Sequence, residues 1–239
     1  MSNSIQNSSN QFLAALPVHF LERIEPILEL VPLPLGKVLY EASAKLQHVY
    51  FPTTAIISIR NILLDGSSLE IINVGNESLL GLSLLMGGEN SQNLAVVHTA
   101  GEGYRLKAQH LAEEFTSSPA VMNLVLWHTQ AFINYLAQNV VCNQFHSIEQ
   151  KLCRWLLLTL DRLPTCELTI TQELIASMIG VRRESISEAS GNLQKAGFIS
   201  YRRGHISVLD RSGLEGRVCE CYQVVKTEQE RLLGNMDKG

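Results

Sequence analysis

At 239 residues, with 46% apolar and 18% charged side chains, the chain is long enough for two modest domains with their own cores, and this balance excludes a wholly disordered protein. A formal charge of −4 excludes one that coats nucleic acid indiscriminately, so the distribution of charge matters more than its sum. No apolar run approaches the ~18 residues of a membrane span, and the start MSNSIQNSSN lacks the charged and apolar parts of a signal peptide, which predicts a cytoplasmic protein with no membrane partner.

Residues 1–10 are rich in Ser, Asn and Gln, the composition of a disordered tail. From Gln11 to Leu30 the apolar positions recur at helical spacing, interrupted at Pro17 and Pro26, so short packed helices are expected there. Pro32 and Pro34 end them. From Leu35 to Leu106 the texture changes to short β-branched segments: Val38–Tyr40, Val49–Phe51, Ala55–Ile59, Leu69–Val74, Leu94–His98 and Tyr104–Leu106 read as strands. Asp65-Gly66 is a hairpin turn. Many short strands at regular intervals imply a β-sandwich or a barrel-like roll.

Ser118-Pro119 is an N-cap followed by proline at the first helical position, opening a helix to about Cys142. Val121, Val125, Phe132, Leu136 and Val140 lie close to a heptad stripe along it, and a helix this apolar must be covered by something. His146 to Leu163 is a further amphipathic helix with Ile148, Leu152, Trp155, Leu156 and Leu160 inward.

The stretch TITQELIASMIGVRRESISEASGNLQKAGFISY, Thr169 to Tyr201, is the most informative. Thr171 is an N-cap for a helix running to Ile179, and Gly180 supplies the positive φ of a tight turn. A second helix, Arg182 to about Lys195, turns Ile186, Ala189, Ser190 and Leu193 to one side and Arg183, Glu184, Ser187, Glu188, Gly191 and Gln194 to the other. Two helices joined by a short Gly turn are the geometry of a helix-turn-helix. Phe198 to Tyr201, the turn Arg202-Arg203-Gly204-His205 and Ile206 to Leu209 then read as a β-hairpin, a wing whose basic tip suits phosphates. Residues 147–213 hold nine Lys/Arg against seven Asp/Glu, whereas residues 1–146 hold six against eleven; the only positive segment is the one carrying these elements.

The run Thr169 to Glu215 is similar to the winged helix-turn-helix of the cyclic-AMP receptor protein/Fnr family of bacterial transcription regulators. The resemblance rests on Leu168, Thr169, Thr171, Gln172, Ala176, Gly180, Val181, Arg183, Glu184, Ser187, Leu193, Gly197, Ile199, Arg203, Gly204, Ile206 and Asp210. It implies an α+β chain: an N-terminal antiparallel β-roll of the cyclic-nucleotide-binding type (a double-stranded β-helix) over 11–116, a dimerisation helix over 117–145, the winged helix-turn-helix over 146–213, and a helical extension over 214–239. It further implies a double-stranded DNA operator, a second copy of the chain and RNA polymerase as partners, with room for an unknown small-molecule effector. The residues expected at DNA are Thr171, Gln172, Arg182, Arg183, Glu184, Ser187, Glu188, Arg202 and Arg203, with Arg183 the candidate for guanine and Glu184 for cytosine.

The resemblance also exposes departures. Nucleotide-binding relatives place a Glu on the ribose and an Arg on the phosphate of a short helical cassette. Here the cassette runs from Gly81, with Leu82 where the carboxylate belongs and Gln92 and Asn93 where the Arg and Ser/Thr belong. A cyclic phosphate without its cation loses a charge-assisted pair worth several kcal/mol, so cyclic AMP is not the expected ligand. Glu188 stands where nucleotide-responsive relatives carry a second Arg, so a different operator is expected. The family's iron–sulfur members use N-terminal cysteines, but the first cysteine here is Cys142.

The five cysteines, Cys142, Cys153, Cys166, Cys219 and Cys221, are odd in number and scattered, which argues for reduced thiols. Cys219 and Cys221, read as lying on one helix of the extension from Ser212 to Leu233, would stand about 200° apart around its axis. A redox or metal pair joined by Cys142 or His146 is the alternative, but this placement is awkward for joint coordination, so they are read as ordinary thiols; neither a metal nor a cofactor is predicted. No catalytic phrase is present, so no enzyme is expected. The alternative is a ligand-sensing or protein-interaction module with a degenerate DNA reader, towards which Gly191, costing ~1 kcal/mol in a helix, points.

Overall fold

The computed structural model describes residues 9–88 and 90–236, with side chains to 231. It is an α+β chain of antiparallel sheets, one long helix and a C-terminal winged helix-turn-helix. Contacts divide it into two units, Met1–Ile59 with Ile72–Ile133 and Glu228–Gly239, and Arg60–Ile71 with Asn134–Thr227.

The chain enters through α1 (Gln11–Ala14) and α2 (Val18–Ile24), then a 3-10 turn, Glu25–Ile27. Asn10 is fully buried: its side chain caps α1 at Leu13 N, 2.8 Å away, and donates to Pro52 O and Ser78 O at 2.8 Å each. The expected tail therefore ends before this residue; residues 1–8 lie outside the described residues.

The roll is built from β1 (Glu29–Leu33), β2 (Val38–Tyr40), β3 (His48–Pro52), β4 (Ile56–Ile62), β5 (Ser68–Val74), β6 (Leu94–Thr99) and β7 (Gly101–Lys107). They form two sheets, ordered β1-β7-β3 and β2-β6-β4-β5. All six expected strands are present. β1 is additional: Pro32 removes a donor, which reads as a break, but β1 pairs with β7 alone, so it is an edge strand where proline is tolerated. The short α3 (Leu82–Leu85) follows Gly81, and α4 (Ala108–Ser117) follows β7.

The long helix α5 spans Pro119–Phe145. Its first turns belong to the core: Val121, Leu124 and Val125 are buried with Phe12, Phe20, Phe51 and Leu111. Three residues of the expected dimer stripe are thus corrected, since Val121 and Val125 are fully buried and Phe132 also packs on that core, whereas Leu136 is half-buried and Val140 exposed. Val141 and Phe145 are exposed near its end, and the other exposed large apolar positions are Met122, Leu126, Ile133 and Val140. With half-buried Thr129 and Leu136 they fall at alternating spacings of four and three, a heptad seam. It lies one residue, roughly 100° around the helix, from the predicted start of the stripe.

Candidate nucleic-acid interface

The second unit opens its reader on α6 (Ile148–Leu160), whose start is fixed by a capping box between Ser147 and Gln150. Leu152, Trp155, Leu156 and Leu160 are buried as expected. Trp155 Nε1 donates to Glu70 Oε1 at 3.3 Å, and Arg154 Nη1 donates to Asn139 Oδ1 at 2.6 Å.

The helix pair follows the local sequence signals closely. The first helix, α7 (Gln172–Ile179), is capped by Thr171, whose Oγ1 accepts from Leu174 N at 3.2 Å. It ends at Gly180 with φ 75°, ψ 40°. A Cβ at Gly180 would also lie 2.6 Å from Leu69 Cδ1, so the turn needs glycine both for its φ and for space. The second helix, α8, spans Arg183–Lys195 with Arg182 as an N-cap that makes no side-chain cap bond. Ile186, Ala189, Ser190 and Leu193 are buried, the side assigned from the helical wheel.

The three-stranded wing sheet has the order β8-β10-β9, with β8 (Glu167–Thr169), β9 (Ile199–Arg202) and β10 (His205–Val208). Arg202 pairs with His205 across a two-residue turn in which Arg203 and Gly204 both have positive φ, 50° and 81°. That is the primed turn that matches strand twist. Tyr201 fastens the wing: its N–H donates to Gln194 Oε1 at 2.8 Å and its hydroxyl to Ile170 O at 2.9 Å. Burial, opposed by the positive charge of Arg183, pushes the Tyr201 phenol up to about 12, so it remains a donor at neutral pH. The helical wheel puts Gln194 on the free polar face; in the structure its carbonyl oxygen is occupied in holding the wing to the recognition helix.

Thr171, Arg182, Arg183, Glu184, Ser187, Glu188, Arg202 and Arg203 are exposed, and Gln172 is half-buried. Those from Arg183 to Glu188 lie along α8 opposite its buried side; Arg202 and Arg203 lie at the tip of the wing that Tyr201 ties to the same helix. A Cβ at Gly191 would meet nothing within 4 Å, so packing within the chain does not require glycine there.

The cassette residues have another fate. Gly81 has φ 113°, and a Cβ there would meet Tyr40 Oη at 2.9 Å. Leu82 is buried in the core with Phe12 and Phe51, Gln92 is exposed and Asn93 half-buried. Residue 89, within the cassette, lies outside the described residues.

After β10, Asp210 caps α9 (Arg211–Arg217), accepting from Gly213 N at 2.9 Å. The chain then breaks at Val218–Glu220 before α10 (Cys221–Met236). The extension is two helices, and the premise that Cys219 and Cys221 share one helix is corrected. Arg211 joins α9 to the reader, paired with Asp161, bonded to Glu215 Oε1 at 2.9 Å and to Tyr222 Oη at 2.9 Å.

A family profile described as a Crp-like helix-turn-helix domain matches residues 150–217. The reader is a Crp-like helix-turn-helix domain. Around this Crp-like domain the chain as a whole is similar to FixK2 from Bradyrhizobium japonicum, with TM-score 0.70 at 15% identity over 80% of this chain and 98% of that one. It is similar to a crp/fnr-family transcriptional regulator from Eubacterium rectale, with 0.68 at 18% over 85% and 95%, and to a CRP-family regulator from Thermus thermophilus, with 0.66 at 17% over 78% and 95%. At these identities the likeness shows the fold, that of a Crp/Fnr-type transcription regulator with a helix-turn-helix DNA-binding domain. No curated protein sequence matches the chain.

Proposed function

We propose that this Crp-like chain is a sequence-specific DNA-binding transcription regulator that works as a homodimer on a near-palindromic operator. The observation that carries the reading is the free polar face of α8: Arg183, Glu184, Ser187 and Glu188 are exposed along one side of a helix whose other side is locked in the core, beside a wing tipped by Arg202 and Arg203. A helix so placed presents its first turns to base edges while the wing and the helix start reach phosphates. Arg183 takes guanine O6 and N7, Glu184 accepts from cytosine N4, and Thr171, Gln172, Arg182, Arg202 and Arg203 hold the backbone. Glu188 repels phosphate and redirects the readout, so the preferred site differs from that of relatives with Arg at this position.

The seam Met122, Leu126, Ile133 and Val140 supports a parallel two-fold coiled coil in place of the stripe starting at Val121. It spaces two recognition helices for half-sites one helical turn apart. The effector site of this reading is not built for cyclic AMP, because Leu82 is core and neither Gln92 nor Asn93 carries a cation. Cytoplasmic location and contact with RNA polymerase follow from the same reading; among the described residues no helix is long and apolar enough to cross a membrane.

Selection of bound sites from random duplex DNA, with and without cell metabolites, tests this function. Enrichment of two inverted half-sites about ten base pairs apart is expected. Enrichment of no site, or salt-dependent binding equal on selected and scrambled duplexes, would instead favour a protein-interaction role.

A further inference from the structure

The reader leaves one group of reactive side chains unused. Cys142 lies in the last turn of α5, and His146 N donates to Cys142 O at 3.2 Å, continuing the helix one step past Phe145. The i, i+4 spacing places both side chains on one face. Cys219 lies in the break between α9 and α10 and Cys221 is the first residue of α10. Two segments 77 residues apart thus meet at their cysteines. Cys142 Sγ is 3.7 Å from Cys219 Sγ, and Cys221 Sγ is 3.4 Å from His146 Nδ1. All four ligand atoms fall within 4.8 Å of one another.

The 3.7 Å and 3.4 Å separations match edges of a metal tetrahedron, and a bound of 4.8 Å on the rest leaves about 1 Å of closure for an ion to draw in. With bonds of about 2.3 Å to sulfur and about 2.0–2.1 Å to nitrogen, tetrahedral angles give edges of about 3.8 Å between sulfurs and about 3.5 Å between sulfur and nitrogen. Packing of two thiols alone accounts for one such distance. It does not account for three thiols and an imidazole nitrogen converging on one point, in a cluster of buried cysteines apart from the two roll cores. We propose that Cys142, His146, Cys219 and Cys221 bind a single zinc ion as a closed Cys3His structural site.

The surroundings fit that ligand set. His146 Nε2 faces Glu220 Oε2 at 3.3 Å, so the outer nitrogen keeps its proton and Nδ1 turns its lone pair inward, the carboxylate–histidine arrangement of metal sites. Gln138 Nε2 donates to Cys221 Sγ at 3.0 Å, an N–H···S bond that steadies a thiolate. Three thiolates around a divalent cation leave one net negative charge. The buried Arg154 guanidinium, whose field reaches Cys142, offsets it. Soft sulfur donors with one imidazole and no open position favour zinc in a structural role. The short mutual spacing holds one ion and leaves no room for the bridging sulfides of a cluster. The ion would pin the end of α5 to the α9–α10 junction, and this holds whether or not the chain reads DNA.

The full chain, purified under reducing conditions without chelator from zinc-supplemented cells, should contain about one zinc per chain by elemental analysis. Replacement by cobalt(II) should give a thiolate-to-metal charge-transfer band and the visible bands of a tetrahedral ion. Cys219→Ser and His146→Ala should lose bound zinc and these bands, while Cys166→Ser, altering an exposed thiol outside the cluster, should keep both. Should the ligand variants fail to fold, wild-type chain stripped by chelator and reductant and titrated with zinc against a chromogenic competitor gives the same answer through its stoichiometry. Absence of zinc with no cobalt bands, retention of zinc in both ligand variants, or a Cys142–Cys219 disulfide that forms in the presence of zinc and reductant would overturn the site.

Discussion

The cassette of the roll and the helix pair of the reader are both short motifs belonging to one fold, and they have been treated oppositely. In the reader, side chains at the expected contact positions stand exposed on a helix anchored by Ile186 and Leu193. In the cassette, Leu82 at the carboxylate position is drawn into the core beside Phe12 and Phe51. A polar face survives because nothing in its own domain covers it. A ligand-binding position inside a roll has only the core as its alternative, so losing the polar side chain converts it into packing. The difference teaches that the polar face of α8 is kept open while the cassette position is taken up by packing.

The strongest way to break this comparison is to restore the missing carboxylate. Leu82→Glu should destabilise the chain by about 3 kcal/mol or more in urea unfolding, because it buries a charge without a partner. A fully stable variant that binds cyclic AMP would show that the cassette is only dormant.

The roll should also be the acid-sensitive part. His128 is buried against Phe12, with Ser78 Oγ 3.4 Å from its Nδ1, and burial lowers its pKa from 6.5 to about 4. A group depressed in this way binds its proton in the unfolded chain first, so the stability it supports is present above about pH 6.5 and is lost as pH falls towards 4, by about 3 kcal/mol in total. Stability curves of His128→Gln should be flatter across that window; an unchanged slope would place the proton uptake elsewhere.

At the reader, Arg183→Ala should weaken binding to the preferred site by ~1–3 kcal/mol and relax discrimination at one base pair. Equal loss on specific and scrambled duplexes would reduce Arg183 to a phosphate contact. The smallest effect is expected at Gly191. With no atom within 4 Å of the point a Cβ would occupy, Gly191→Ala should stabilise α8 by up to ~1 kcal/mol. If thermal stability rises as DNA affinity falls, glycine serves the DNA surface; if both rise, it does not.

Much of the reader is legible directly from residue order. Thr171, Gly180 and the Arg203-Gly204 turn act over three or four residues, and helix, turn and hairpin stand where those signals put them. The six expected strands of the roll show in their β-branched texture; β1 is hidden because Pro32 breaks a pattern that an edge strand does not need to keep. The exposed seam of α5 is obscured for a different reason. The helix is apolar nearly all around, so periodicity offers several stripes, and only packing of Val121 and Val125 against the roll removes one of them.

The sequence by itself determined the six expected strands, the helix pair and its wing, and the absence of Glu and Arg at the cassette positions Leu82 and Gln92, because each depends on residue identity or on spacings within a few turns of chain. Tertiary structure alone decided that Leu82 is core, that Gln194 holds the wing and that the exposed heptad seam of α5 starts at Met122. It also brought Cys142 and His146 to Cys219 and Cys221. These outcomes depend on which distant segment arrives at a given face, and contacts between residues 77 positions apart leave no local periodicity to read.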